Sequence, residues 1–168
     1  MKLLTVLFAL LVLTCINPVA AAPKDPAAAL ESDGLGQMKL GQPAAAVLKL
    51  LGEPEKKGKD VEWAATGEWV QEWDFPKQGL TLNMASGKKG GAKTVGTITA
   101  IGACKLATKR GIAIGSPLAD VRKAYGNVES KEDGQTKDTF IAGSVYGGII
   151  FSLKGGKVSK IFVGAAAE

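Results

Sequence analysis

MKLGQPAAAVLKLLG at residues 38–52 is echoed by IAIGSPLADVRKAYG at residues 112–126, and this double statement decides the fold. The stretches match at Gly41 and Gly115, Pro43 and Pro117, Val47 and Val121, Lys49 and Lys123, and Gly52 and Gly126. Met38 and Leu40 are answered by the equally apolar Ile112 and Ile114. Self-similarity at a fixed offset marks a repeated structural unit. Each copy also has the grammar of a short helix. Pro43 stands where a first-turn proline belongs, Val47, Leu50 and Leu51 fall at helical spacing, and Gly52 followed by Pro54 ends the run. In the second copy Ser116 is placed to cap, Pro117 takes the first turn, Leu118, Val121 and Tyr125 form the stripe, and Gly126 terminates it. Helices of about ten residues do not persist alone in water, so each stripe must dock on another layer.

That layer is written in the runs that follow each helix. After the first come VEWAA (61–65), WVQEWDF (69–75), LTLNM (80–84) and TVGTITAI (94–101). After the second come TFIA (139–142), SVY (144–146), IIFSL (149–153) and VSKIFV (158–163). Gly155-Gly156, flanked by lysines between alternating runs, is a tight-hairpin signal, and ASGKKGGAK (85–93) is its longer counterpart. The expected fold is α+β, with two tandem repeats over residues 35–104 and 105–168. Each is a short helical segment packed on an antiparallel sheet of about four strands.

The glycine-bounded helix followed by Trp-rich and then GLTL-like strands resembles the modules of the β-lactamase-inhibitor-protein-like fold, shared by small outer-membrane assembly lipoproteins. The stretch TKRGIAIG (108–115), with Asp120-Val121 and Tyr125-Gly126, is also similar to a group of uncharacterised exported bacterial proteins. Together these similarities span about residues 35 to 165. They imply two helix-plus-four-strand modules whose sheets form a shared concave face. The chain departs from that pattern in its enlarged Lys/Gly hairpin and in lacking the paired cysteines of some relatives.

The first 22 residues read as a signal peptide: Lys2, the apolar run LLTVLFALLVL, then Val19-Ala20-Ala21-Ala22, with cleavage expected after Ala21. That run is too short for the roughly 20 residues a spanning helix needs, and no later segment approaches them, so no transmembrane segment is expected. Export to the periplasm or beyond follows, with lipid attachment at Cys15 as the less favoured alternative. Residues 23–34, PKDPAAALESDG, read as a flexible tether. Loss of Cys15 leaves Cys104 alone, so no internal disulfide is expected and the core must hold by packing.

Composition narrows the chemistry. With no histidine, the usual general base and the usual zinc ligand are missing, and no Ser-His or Cys-His arrangement is possible. Cys104 reads as a structural thiol rather than a nucleophile. Glu72 and Asp74 alternate around Trp73, a spacing of about 7 Å that suits a glycosidase pair but also an ordinary solvated strand face. GKKGGAKT (87–94) nearly spells a phosphate-binding loop, yet it joins two strands instead of a strand and a helix. The net charge of +5, which drops by one with Lys2, comes from lysine, since only Arg110 and Arg122 are arginine. Nucleic acid is therefore not an expected partner.

The remaining candidates are binding residues: Trp63, Trp69, Trp73 and Phe75, which are either core or contact surface, and Lys88, Lys89 and Lys93 as a cationic patch. The expected function is a non-catalytic exported protein, without cofactor or metal. It would recognise a protein or envelope component through its sheet face and loops. Inhibition of a secreted hydrolase such as a β-lactamase is the alternative implied by the resemblance. A structural envelope role and an enzyme using carboxylates or Cys104 stand behind it.

Overall fold

The computed structural model describes Leu30, residues 33–131 and residues 136–166. The signal peptide, Cys15, most of the tether and Glu132-Asp133 lie outside the described residues. Helix α1 spans Ala44–Leu51 and α2 spans Leu118–Tyr125. The strands are β1 (Lys56–Lys57), β2 (Val61–Trp63), β3 (Glu68–Phe75), β4 (Leu80–Ser86), β5 (Thr94–Ile101), β6 (Thr139–Ser144), β7 (Gly147–Lys154) and β8 (Lys157–Gly164). All join one antiparallel eight-stranded sheet in the order β1-β3-β4-β5-β8-β7-β6, with β2 also paired to β3. Among the described residues no helix is long and apolar enough to cross a membrane.

The matched residues of the two stretches make matched bonds. Gly41 N–H donates to the Val95 carbonyl at 2.7 Å and Gly115 N–H to the Val158 carbonyl at 2.7 Å. In return Val95 N–H reaches the Gln42 carbonyl and Val158 N–H the Ser116 carbonyl, each at 2.9 Å. Ala44 N–H bonds to Lys93 and Leu118 N–H to Gly156, so each helix is stitched at its first turn to the start of the last strand of its half. The turn that makes these bonds needs a left-handed residue, and φ is 73° at Gly41 and 91° at Gly115. The repeated glycine is therefore a backbone requirement.

Register faults are matched as well. β4 and β5 shift register between Asn83 and Met84, which leaves Gly96 as the extra residue, and β7 and β8 shift between Ser152 and Leu153, which leaves Ser159. Each bulge turns one more side chain inward, so Val95 joins Ile98 and Ala100, and Val158 joins Ile161 and Val163. At the centre β5 pairs β8 reciprocally: Ile98 faces Val163, Ala100 faces Ile161, and Thr99 faces Phe162. Read outward from this pair, the strands run β5-β4-β3 on one side and β8-β7-β6 on the other.

One face of this sheet carries the core. Phe75, Leu80, Ala100, Ile161 and Phe151 form one cross-strand row, and Trp73, Leu82, Ile98, Val163 and Ile149 form the next. Val47 of α1 and Val121 and Tyr125 of α2 are fully buried in the same contiguous cluster, so both helices cover that face. Tyr125 packs on Phe151 with ring centroids 5.2 Å apart.

Several expectations are corrected. The sheet is not two sheets of about four strands: five strands follow α1 and three follow α2, because residues 145–146 of SVY form the turn between β6 and β7. Leu50 is 39% exposed, and Ala44, Leu48 and Leu51 fill its intended place beside Val47. Ser116 does not cap α2; its Oγ accepts from the N–H of Ala113 at 3.0 Å. Gly126 does not end the helical path outright, since a 3-10 turn continues over Gly126–Val128. Leu30, Asp33 and Gly34, at the end of the proposed tether, are buried. The Gly155-Gly156 hairpin forms as the sequence indicates, with φ of 59° and 72°.

Candidate functional site

Among the described residues no helix lies over the sheet's second face, and its rows can be followed strand by strand. One row runs Asp74, Thr81, Thr99, Phe162, Ile150 and Ile141 across six strands. Its first half is polar and its second apolar, with Phe162 and Ile150 half-buried and Ile141 buried. Beside it, Glu72, Asn83 and Thr97 lie toward one edge and the glycines 164, 148 and 143 toward the other. A Cβ on Gly164 would stand 3.0 Å from Thr97 Cγ2, so the two parts of this row abut. Gly148 and Gly164 are buried and Gly143 is half-buried, with Leu30 close to the position its Cβ would take, so this part of the row is closely packed. Exposed Val61 and Ile101 add apolar surface near the margins of the face.

At one end of this face a groove of about 300 Å³ lies between the β2–β3 hairpin and the end of β8. Val70, Ala85, Gly96, Thr97 and Ala165 line it, with Trp63 and Glu68 among the hairpin's contributions. Trp63 and Glu68 are register partners across β2 and β3, so their side chains stand next to each other on this face. A second hollow of about 330 Å³ lies at the opposite end, bounded by Lys56, Asp74, Leu80, Thr81 and Ile101. There Asp74 Oδ1 accepts from Thr81 Oγ1 at 3.0 Å.

The candidate residues are not brought together on one surface. Trp73 and Phe75 are core, at 5% and 1% exposure, which removes them from any contact surface. The indole of Trp73 is satisfied internally: its Nε1–H donates to Gln71 Oε1 at 2.8 Å, and Gln71 Nε2 donates to the Gly58 carbonyl at 2.9 Å. Lys57 Nζ covers its ring at 4.6 Å from the centroid. Trp69 is half-buried on the helix side of the sheet, with Lys89 Nζ 5.3 Å above its ring. Only Trp63 reaches the open face, and it does so because β2 is a separate short strand with its own pairing.

Lys93 is likewise not part of a free cationic patch. It is mostly buried and ion-paired with Asp60, and it also reaches Ser86 Oγ at 3.3 Å. Asp60 Oδ2 accepts from Gly90 N–H at 2.7 Å, so one carboxylate clamps the whole β4–β5 hairpin. The hydrogen bond from Lys93, then that from Gly90, hold the Asp60 carboxyl below its usual range. Lys88 and Lys89 remain exposed on the hairpin. Cys104 is buried, and desolvation pushes its thiol upward, outweighing a backbone hydrogen bond at Leu106 that acts the other way.

A buried polar cluster went unread in the sequence. Arg110 Nε lies 3.1 Å from Asp33 Oδ2, close enough for charge pairing although its N–H is not aimed for a hydrogen bond. The guanidinium stacks 4.6 Å over the Tyr125 ring and donates to the Ala124 carbonyl at 3.0 Å in the last turn of α2. Burial pushes the Tyr125 phenol up to about 12. The cluster fastens the chain ahead of α1 to α2.

Comparison with known proteins places the chain in no family. No protein-family model matches the sequence, and no curated protein or solved structure matches it.

Proposed function

We propose that this chain is a non-catalytic exported binding protein, built from a duplicated helix-and-sheet unit, whose open sheet face receives another protein or a component of the cell envelope. Duplication is supported by the matched turn bonds, the matched bulges and the reciprocal β5–β8 pairing. Export rests on the signal-peptide pattern of the first 22 residues.

The observation that carries the binding role is the face that no helix covers among the described residues. A solvated sheet face should alternate to polar residues, yet this one holds half-buried Phe162 and Ile150 on β8 and β7 and presents Val61 and Trp63 on β2. Partly exposed aromatic and aliphatic groups set beside polar ones are the composition of a recognition surface. Lys88 and Lys89, on the exposed hairpin, would steer approach rather than hold the partner.

The test is retention of a specific partner from envelope extract by the immobilised protein and by two variants. Thr99→Arg places bulk and charge at the centre of the open face, whereas Lys49→Glu alters an exposed position on α1. Loss of the partner with the first and retention with the second is the expected outcome. Equal retention by both variants would remove the open face from the role.

A further inference from the structure

We propose that the groove beside Trp63 and Glu68 receives an arginine side chain of the bound protein. This rests on the open face being the contact surface, and it adds the chemistry of what that surface selects. The chain is basic overall, with 21 lysines and arginines against 16 acids, and four of its carboxylates are ion-paired among the described residues: Asp33, Glu53, Glu55 and Asp60. Glu68, Glu72 and Asp74 gather on one face. They share the open face of β3 with Val70, and none of the three has an ion-pair partner among the described residues. A basic protein thus keeps three carboxylates without a cation on one strand of that face, and Glu68 is exposed and stands beside a tryptophan.

The three parts of the groove match the three parts of arginine. Val70 and Ala85 offer an apolar floor for the methylene stem. The Trp63 ring offers a π-face to the guanidinium, which is flat and weakly hydrated and stacks better than an ammonium. Glu68, its neighbour across the strand pair, supplies the carboxylate that a guanidinium meets with two parallel N–H donors. The volume of about 300 Å³ accommodates one such side chain.

The full chain, labelled with nitrogen-15 at its tryptophan indoles, gives three indole signals to follow by NMR, one per tryptophan. Disappearance of one signal in Trp63→Phe assigns the groove. The probe is the capped peptide acetyl-Gly-Arg-Gly-amide, and the neutral isostere with citrulline in place of arginine is its control. A saturable shift of the Trp63 signal with the arginine peptide is expected, with the buried Trp73 signal unmoved and the citrulline peptide silent. Glu68→Gln, a change at an exposed position, should weaken the interaction about fivefold. An equal shift with citrulline, or no saturable shift up to about 50 mM probe, would overturn the assignment. If the arginine probe fails while Thr99→Arg still abolishes partner retention, the groove's selectivity falls and the contact face stands. If retention is also indifferent to Thr99→Arg, the face itself falls.

Discussion

Asp60 and Lys93 show how one partly buried carboxylate changes what a lysine is for. In the sequence Lys93 belongs to a run of glycines and lysines that reads as a solvated cationic loop. In the structure it is the anchor of that loop, because Asp60, in the link between β1 and β2, lies across from it. Sequence separation of that kind hides an ion pair. The carboxyl of Asp60 titrates lower in the fold than in the unfolded chain, so its contribution is present above the unfolded value of about 3.9 and is lost as pH falls through the folded one. Asp60→Asn should therefore lower the urea midpoint by a constant amount between about pH 5 and 7, and the gap should shrink below about pH 4. A gap that persists unchanged in strong acid would mean that charge is not what holds the hairpin.

Asp33 and Arg110 pose the same problem more sharply. Arg110 stood out in the sequence as one of two arginines, but nothing in the pattern linked it to a residue in a stretch that reads as a tether. Arg110→Ala leaves Asp33 buried and uncompensated, removes the cover from Tyr125 and frees the Ala124 carbonyl. We expect a loss of about 3 kcal/mol in chemical unfolding, and a double variant with Asp33→Asn that loses less than the sum. Strict additivity would show that the two groups do not interact.

The helices and strands were the legible level. Glycine and valine at fixed offsets encode a left-handed turn and a buried contact in both stretches, while Pro43 and Pro117, expected in the first helical turn, stand one residue earlier as extended N-cap residues whose fixed φ leads into the helix. Val47→Ala and Val121→Ala should accordingly cost alike, about 2 kcal/mol each, when measured by thermal or urea unfolding. A large cost at one and none at the other would deny the two helices equivalent roles. The bulges were not legible, because a shift after Asn83 or Ser152 depends on the partner strand rather than on local composition. The tryptophan question had the same root. Parity alone put Trp69, Trp73 and Phe75 on one face of β3, but only the helices' position shows that this is the covered face, and only the pairing of β2 turns Trp63 to the other. Glu68 escaped notice because its significance lies in that pairing.

Across the entire sheet, the proposed duplication and the proposed binding role meet. β5 pairs with β8, both helices fall on the same side, and among the described residues the opposite side is one continuous sheet surface without a helix, as two copies joined through their last strands would leave it. Thr99 and Phe162 meet at the middle of that surface, where the two halves are paired reciprocally. The halves are not alike there. Toward β3 the row continues with Thr81 and Asp74, and toward β6 with Ile150 and Ile141, so a partner would meet a polar, acidic half and an apolar half at once. Which side of the sheet meets the partner is the decisive question. A photo-crosslinking amino acid introduced singly at Thr99 and Glu72 on the open face, and at Lys49 and Arg122 on the helices, answers it in envelope extract. Cross-links from Thr99 and Glu72 with none from the helical positions are expected; cross-links from Lys49 or Arg122 alone would place the contact on the helices and leave the open face without a function.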